Sequence, residues 1–184
     1  MQSSAKPTAT QPDSAQGRLR TGARRLILIR HAKAVEEDVG GDHARGLSER
    51  GLADAAALGE WLKAQGLMAD VALCSTATRT RQTLAALGKN SPTLLSDKLY
   101  LATTTDMLAQ IQATDDVVET LMVVAHNPGC PALAALLVGS YANEADGDRL
   151  LLKFPTSGCA VMAFAVRRWK DVVGESGRLV GWQG

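Results

Sequence analysis

Three short stretches place side chains of complementary chemistry just beyond apolar runs. Arg30-His31 follows Leu26-Ile27-Leu28-Ile29, Ser75 and then Arg79 follow Val71-Ala72-Leu73-Cys74, and His126 follows Leu121 to Ala125. Two of the chain's three histidines therefore stand at the ends of such runs. A guanidinium is permanently charged and its planar fork matches phosphoryl oxygens, while a neutral imidazole is a nucleophile. Two arginines and two histidines brought together suit a phosphoryl group. Each signal is weak alone, because a histidine that ends a strand is more often tied to backbone than catalytic.

The elements that must position these residues follow from the patterning. Short β-rich runs alternate with helical patterns from Arg24 onward, which predicts a single three-layer α/β domain with a mostly parallel central sheet flanked by helices. The run at 26–29 reads as a strand buried on both faces. Ser48 to Gln65 reads as a helix with Leu52, Ala55, Ala56, Gly59 and Leu62 on its inner face, Ser48 as N-cap and Gly66 past its end. Strands at 71–74, 93–95, 121–125 and 158–166, with a further one at 178–182, alternate with helices at 77–87, around 105–113 and after Pro128, where Leu133, Leu136 and Leu137 form the apolar stripe. In an open parallel sheet, ligands bind beyond the carboxyl ends of the strands, where the two histidines and two arginines fall. The 16 residues from Ala32 to Leu47 are the one long connection and a candidate lid.

With these motifs in family order, the chain resembles the histidine phosphatase superfamily, the group that also holds the phosphoglycerate mutases. Leu28-Ile29-Arg30-His31-Ala32-Lys33 resembles its Arg-His signature. Ser75-Thr76-Ala77-Thr78-Arg79-Thr80-Arg81-Gln82-Thr83 resembles its second motif, and Val123 to Gly129 the motif around its second histidine. Arg45 to Gly51, Leu99 to Ala102 and Lys153 to Thr156 resemble the small phosphohistidine phosphatases of the SixA branch. The resemblance implies His31 as nucleophile of a metal-independent phosphatase that passes through a covalent phosphohistidine. It implies Arg30, Arg79 and His126 as the groups that bind phosphate and balance charge in the transition state, without a metal or other cofactor. Ser75 and Asp42 are further candidates for substrate binding.

One departure bears on substrate. Larger members of the superfamily present a glutamate as proton donor after the third strand, whereas Leu99 to Thr103 contains no acid. An alkoxide, with a conjugate-acid pKa near the ~15.7 of water, needs such a donor, but imidazole, at about 6.5, leaves far more easily. A phosphohistidine on a protein is therefore the expected substrate, with Asp42 as the candidate donor if one is needed. A small phosphate ester or nucleotide is the alternative within the same chemistry. A non-catalytic phosphoprotein-binding module is the alternative outside it, although a pure binding site has no need of the nucleophile.

Composition narrows the rest. The 184 residues are 46% hydrophobic and 21% charged with a net charge of +1, as in an ordinary globular domain, and contain no 18-residue apolar run. No membrane partner is expected. Residues 1 to 25 carry five basic side chains against Asp13, leaving the rest mildly acidic, with no basic face interleaved with aromatics for nucleic acid. Residues 1–23, rich in Ser, Thr, Gln, Ala and Gly, read as a disordered N-terminal extension of the domain at 24–184. Cys74, Cys130 and Cys159 share no metal-ligand spacing and are odd in number, which leaves the cytoplasm as the default compartment.

Overall fold

Leu26, Ile27, Leu28 and Ile29 are all fully buried, as a run without polar alternation requires of a strand covered on both faces. They form the middle of β1 (Arg24–Arg30). In the computed structural model, which describes residues 22–88 and 91–184, β1 pairs in parallel with β4 (Thr120–Ala125) on one side and antiparallel with β6 (Cys159–Phe164) on the other. The parallel half continues through β2 (Val71–Ser75) to β3 (Thr93–Ser96). Beyond β6 lie β7 (Gly177–Gln183), antiparallel to it, and β5 (Val138–Tyr141), parallel to β7. The strand order is β3-β2-β4-β1-β6-β7-β5. The expected single, mostly parallel α/β sheet is the observed architecture. Residues 1–21 of the expected N-terminal extension lie outside the described residues.

Helices close both faces. Ile27 and Ile29 pack with Leu58 and Leu62 of α1 (Glu49–Ala64) and Leu84 of α2 (Thr78–Ala86). Leu26 and Leu28 share the opposite core with Met107 and Ile111 of α3 (Thr104–Gln112) and with Leu133, Ala134 and Leu137 of α4 (Gly129–Leu137). Ser48 caps α1, its hydroxyl accepting from Gly51 N at 3.1 Å. The inner face of α1 is rotated from the expected one. Gly51, Ala55, Leu58, Gly59 and Leu62 are buried, while Leu52 is 46% exposed and Ala56 is also exposed. Two glycines decide that rotation: a Cβ on Gly51 would lie 2.0 Å from the carbonyl oxygen of Lys33, and one on Gly59 would lie 2.4 Å from that of Leu87. The helix presents its bare side to backbone, and leucine 52 turns outward. Leu136 likewise departs from the expected stripe of α4 and is exposed.

The segment from 138 to 152, read without an element from sequence, contains β5 and α5 (Glu144–Leu152). Among the described residues no helix is long and apolar enough to cross a membrane.

Candidate active site

β1, β2 and β4 run in parallel, so their carboxyl ends open on the same side of the sheet. Arg30, His31, Arg79, His126 and Asp42 meet there around a cavity of about 340 Å³, together with Lys33, Ala34, Arg45, Leu101, Asn127 and Thr156. A larger cavity of about 550 Å³, between the start of β1 and the turn before β7, contains no histidine.

The backbone holds His31 from both sides. Its N–H donates to Ala125 O at 3.0 Å, and its carbonyl accepts from Ser157 N at 3.2 Å. The ring Nδ1 lies 2.7 Å from Ala32 O. A carbonyl can only accept, so Nδ1 carries the hydrogen and Nε2 keeps its lone pair. Thr83, an unremarked member of the second motif, fixes the same turn: its Oγ1 accepts from Ala32 N at 3.0 Å and donates to Arg79 O at 2.7 Å. Gln82 beside it accepts from Leu47 N at 2.6 Å and pins the end of the long connection.

Arg30 is steadied by a bond from Nη1 to Phe154 O at 2.9 Å, in the turn that precedes β6. Arg79 is 2% exposed. His126, also buried, lies with its ring 5.3 Å from that of His31 and 5.5 Å from that of Tyr100. Its Nε2 is 2.8 Å from Ser75 Oγ. Ser75 is fully buried and stands behind His126, away from the cavity lining, so its placement differs from that expected of a substrate-binding hydroxyl. That contact ties the Nε2 side of the ring to Ser75 and leaves Nδ1 as its unpartnered nitrogen. Arg30 Nε, Arg79 Nε and His126 Nδ1 are all buried without a hydrogen-bond partner. The two guanidinium groups on the cavity wall fit an anionic ligand.

Both rings are neutral. Burial, reinforced by Arg79, Arg30 and Arg45 and opposed by the bond to Ala32 O, lowers the His31 pKa to about 4. Burial, then Arg79 and His31, lowers that of His126 to about 3. Desolvation thus outweighs the like-charge effect that the arginines alone suggest. An NMR titration should show the His31 ring neutral down to about pH 5, and a midpoint between pH 6 and 7 would contradict the burial seen here. Unfolded histidines take up protons from about 6.5 downward, whereas the His31 ring resists until about 4 and the His126 ring until about 3, so acidification across that window favours the unfolded chain.

Asp42 differs from the expected proton donor. Its carboxylate accepts from Tyr100 OH at 2.6 Å and from Arg79 Nη2 at 2.9 Å on Oδ2, and from Arg45 Nε at 3.0 Å on Oδ1. Tyr100 first, then Arg79 and Arg45, hold its pKa well below the usual carboxylate range. Held by these three partners it is ionised and has no proton to give. Tyr100 reads from sequence as a residue of the pocket mouth or of the core, and Arg45 as part of a branch motif, and neither spacing nor polarity reveals that both converge on Asp42. The three cysteines are buried and free, and burial raises the Cys74 thiol to about 11 and that of Cys130 to about 12.

Known proteins resemble this chain in sequence and fold. The model of the histidine phosphatase superfamily (branch 1) matches residues 26–99. An uncharacterized protein of Mycobacterium tuberculosis is 42% identical over 84% of this chain and 98% of its own length. The candidate phosphohistidine phosphatase SixA of Nakamurella multipartitia superposes with a TM-score of 0.79 at 36% identity, over 89% of this chain and 96% of that one. Its counterpart from Agrobacterium tumefaciens gives 0.73 at 30% identity, over 88% and 97%.

Proposed function

Because this chain belongs to the histidine phosphatase superfamily, in its SixA-type branch, and is a phosphatase, we propose that it acts on phosphohistidine in proteins with His31 as nucleophile. The observation that carries the choice of substrate is the lack of an acid at the site. Among the residues lining the cavity Asp42 is the one carboxylic acid, and it is held ionised by Tyr100, Arg79 and Arg45. A phosphate ester must then expel an unprotonated alkoxide. A phosphoimidazole protonated on its other nitrogen expels neutral imidazole, with the electron pair of the broken P–N bond going to the departing ring.

The lone pair on His31 Nε2 attacks phosphorus as the substrate's P–N bond breaks. Arg30 and Arg79, with His126 beside them, balance the charge that spreads over the phosphoryl oxygens. Water then attacks the phosphohistidine, phosphate departs, and Nε2 recovers its lone pair. The related SixA proteins of Nakamurella multipartitia and Agrobacterium tumefaciens, described as candidate phosphohistidine phosphatases, support the reading.

Turnover on a histidine-phosphorylated protein and on sugar phosphates, measured side by side, tests it. The phosphoprotein should exceed the esters in kcat/KM by at least ~100-fold, about 2.7 kcal/mol of transition-state stabilisation. Comparable rates would refute the preference and require a proton donor other than Asp42.

A further inference from the structure

Building on the reading of this cavity as a phosphoryl site, we propose that Asp42 is a specificity-determining residue, a built-in competitor that occupies Arg79 and handicaps ligands bringing a phosphate and little else. Arg79 is the buried arginine of the cavity, and Asp42 engages both ends of its fork. Nη1 donates to Asp42 O at 2.6 Å and Nη2 to Asp42 Oδ2 at 2.9 Å. Tyr100 OH and Arg45 fill the remaining acceptor sites of the carboxylate. An anion is thus already seated on the guanidinium that a phosphoryl group needs, while the Nε atoms of Arg30 and Arg79 and Nδ1 of His126 stay buried and unpartnered.

The segment that carries Asp42 is built to lift. Its base is pinned by the bridge between Ala34 and Leu47 and by the bond from Leu47 N to Gln82 Oε1. Residues 36–43 are all exposed, and the short turn Asp42–Ala44 buries no side chain. The tip is held by the polar contacts of Asp42, by His43 Nε2 to Thr76 Oγ1 at 3.0 Å, and by the edge contact of the His43 ring with that of Tyr100, 4.8 Å between centroids. The bonds to Arg79 are part-buried and the others exposed, and no apolar side chain of the short turn is buried to add to them. Arg45 also donates to the carbonyls of Val35 and Glu36, at 2.9 and 3.2 Å, so it stays with the tip when Asp42 leaves.

Displacing the carboxylate costs every ligand the same. A phosphoprotein offsets that cost through contacts with the exposed tip, whose Val39 is fully open to solvent, whereas free phosphate or a small ester has no such contacts. Asp42 therefore raises selectivity for phosphate on a protein surface.

Calorimetric titration with inorganic phosphate tests this by the sign of the effect. Asp42→Asn and Asp42→Ala should bind phosphate at least tenfold more tightly than the parent, and kcat/KM for para-nitrophenyl phosphate should rise, so that its disadvantage against a histidine-phosphorylated protein shrinks by at least tenfold. Unchanged or weaker phosphate binding overturns the proposal and makes Asp42 a residue that aligns Arg79. If neither variant folds, hydrogen exchange of the parent decides: saturating phosphate should speed exchange across residues 36–43, and unchanged or slower exchange overturns the proposal. Phosphate binding is read without turnover. A protein that binds as expected but prefers esters would refute the substrate reading and leave the role of Asp42 standing.

Discussion

Replacing His31 by alanine should abolish turnover, with a loss of about 10⁴-fold or more, because the step that forms the covalent intermediate disappears entirely. Rapid-quench sampling of the parent enzyme should capture phosphate on histidine, stable in base and labile in acid, and His31→Ala should capture none. The fold should survive. His31 stands at the end of β1, and its ring makes one hydrogen bond, to Ala32 O, worth roughly 1 kcal/mol net. A His31→Ala protein that melts like its parent yet keeps its activity would remove the nucleophile from the mechanism. His126 is held differently, with its Nε2 engaged by the Ser75 hydroxyl at 2.8 Å.

Arg79→Ala should lower kcat/KM by about 10³-fold, the scale of losing a guanidinium that meets transition-state charge in a site sheltered from water. Lysine should not restore it, because an ammonium is a point charge without the planar fork. The same substitution has a consequence away from the chemistry. Arg79 is the anchor of Asp42, so the tip at 36–43 should exchange amide hydrogens faster in Arg79→Ala while β1 and β4 stay protected. A tenfold loss or less, with an unaltered tip, would mean that Arg79 neither binds phosphate nor holds the connection.

The three apolar runs were legible because a strand buried on both faces must be apolar at every position, and each run stops where the strand leaves the core. Their ends located His31, Arg79 and His126 before any contact was known. The helix after β2 was legible for a similar local reason, through its closing Gly88, which adopts φ +65. The second-motif pair Gln82 and Thr83 was visible as sequence, yet their bonds to Leu47 N and Ala32 N, 35 and 51 residues away in the chain, were not.

β5 and α5 show why the rest stayed hidden. Glycine inside an element costs about 1 kcal/mol against alanine, so Gly139 and Gly147 weaken the local signal of both. In the folded chain a Cβ on Gly139 would lie 1.9 Å from Glu175 O, and one on Gly147 would lie 2.5 Å from the ring of Tyr141. Those contacts join residues far apart or on different elements, and no local pattern records them. The same division holds at the site. The amino-acid sequence by itself determined the α/β architecture, the strand ends and the identity of the four groups that converge there, because period, propensity and residue chemistry are local properties. Tertiary structure decided that Ser75 backs His126, that burial outweighs the arginines in keeping both rings neutral, and that Asp42 is an ionised partner of Arg79. Desolvation and ion pairing depend on what the folded chain brings within a few ångströms, and a linear sequence carries no such distance.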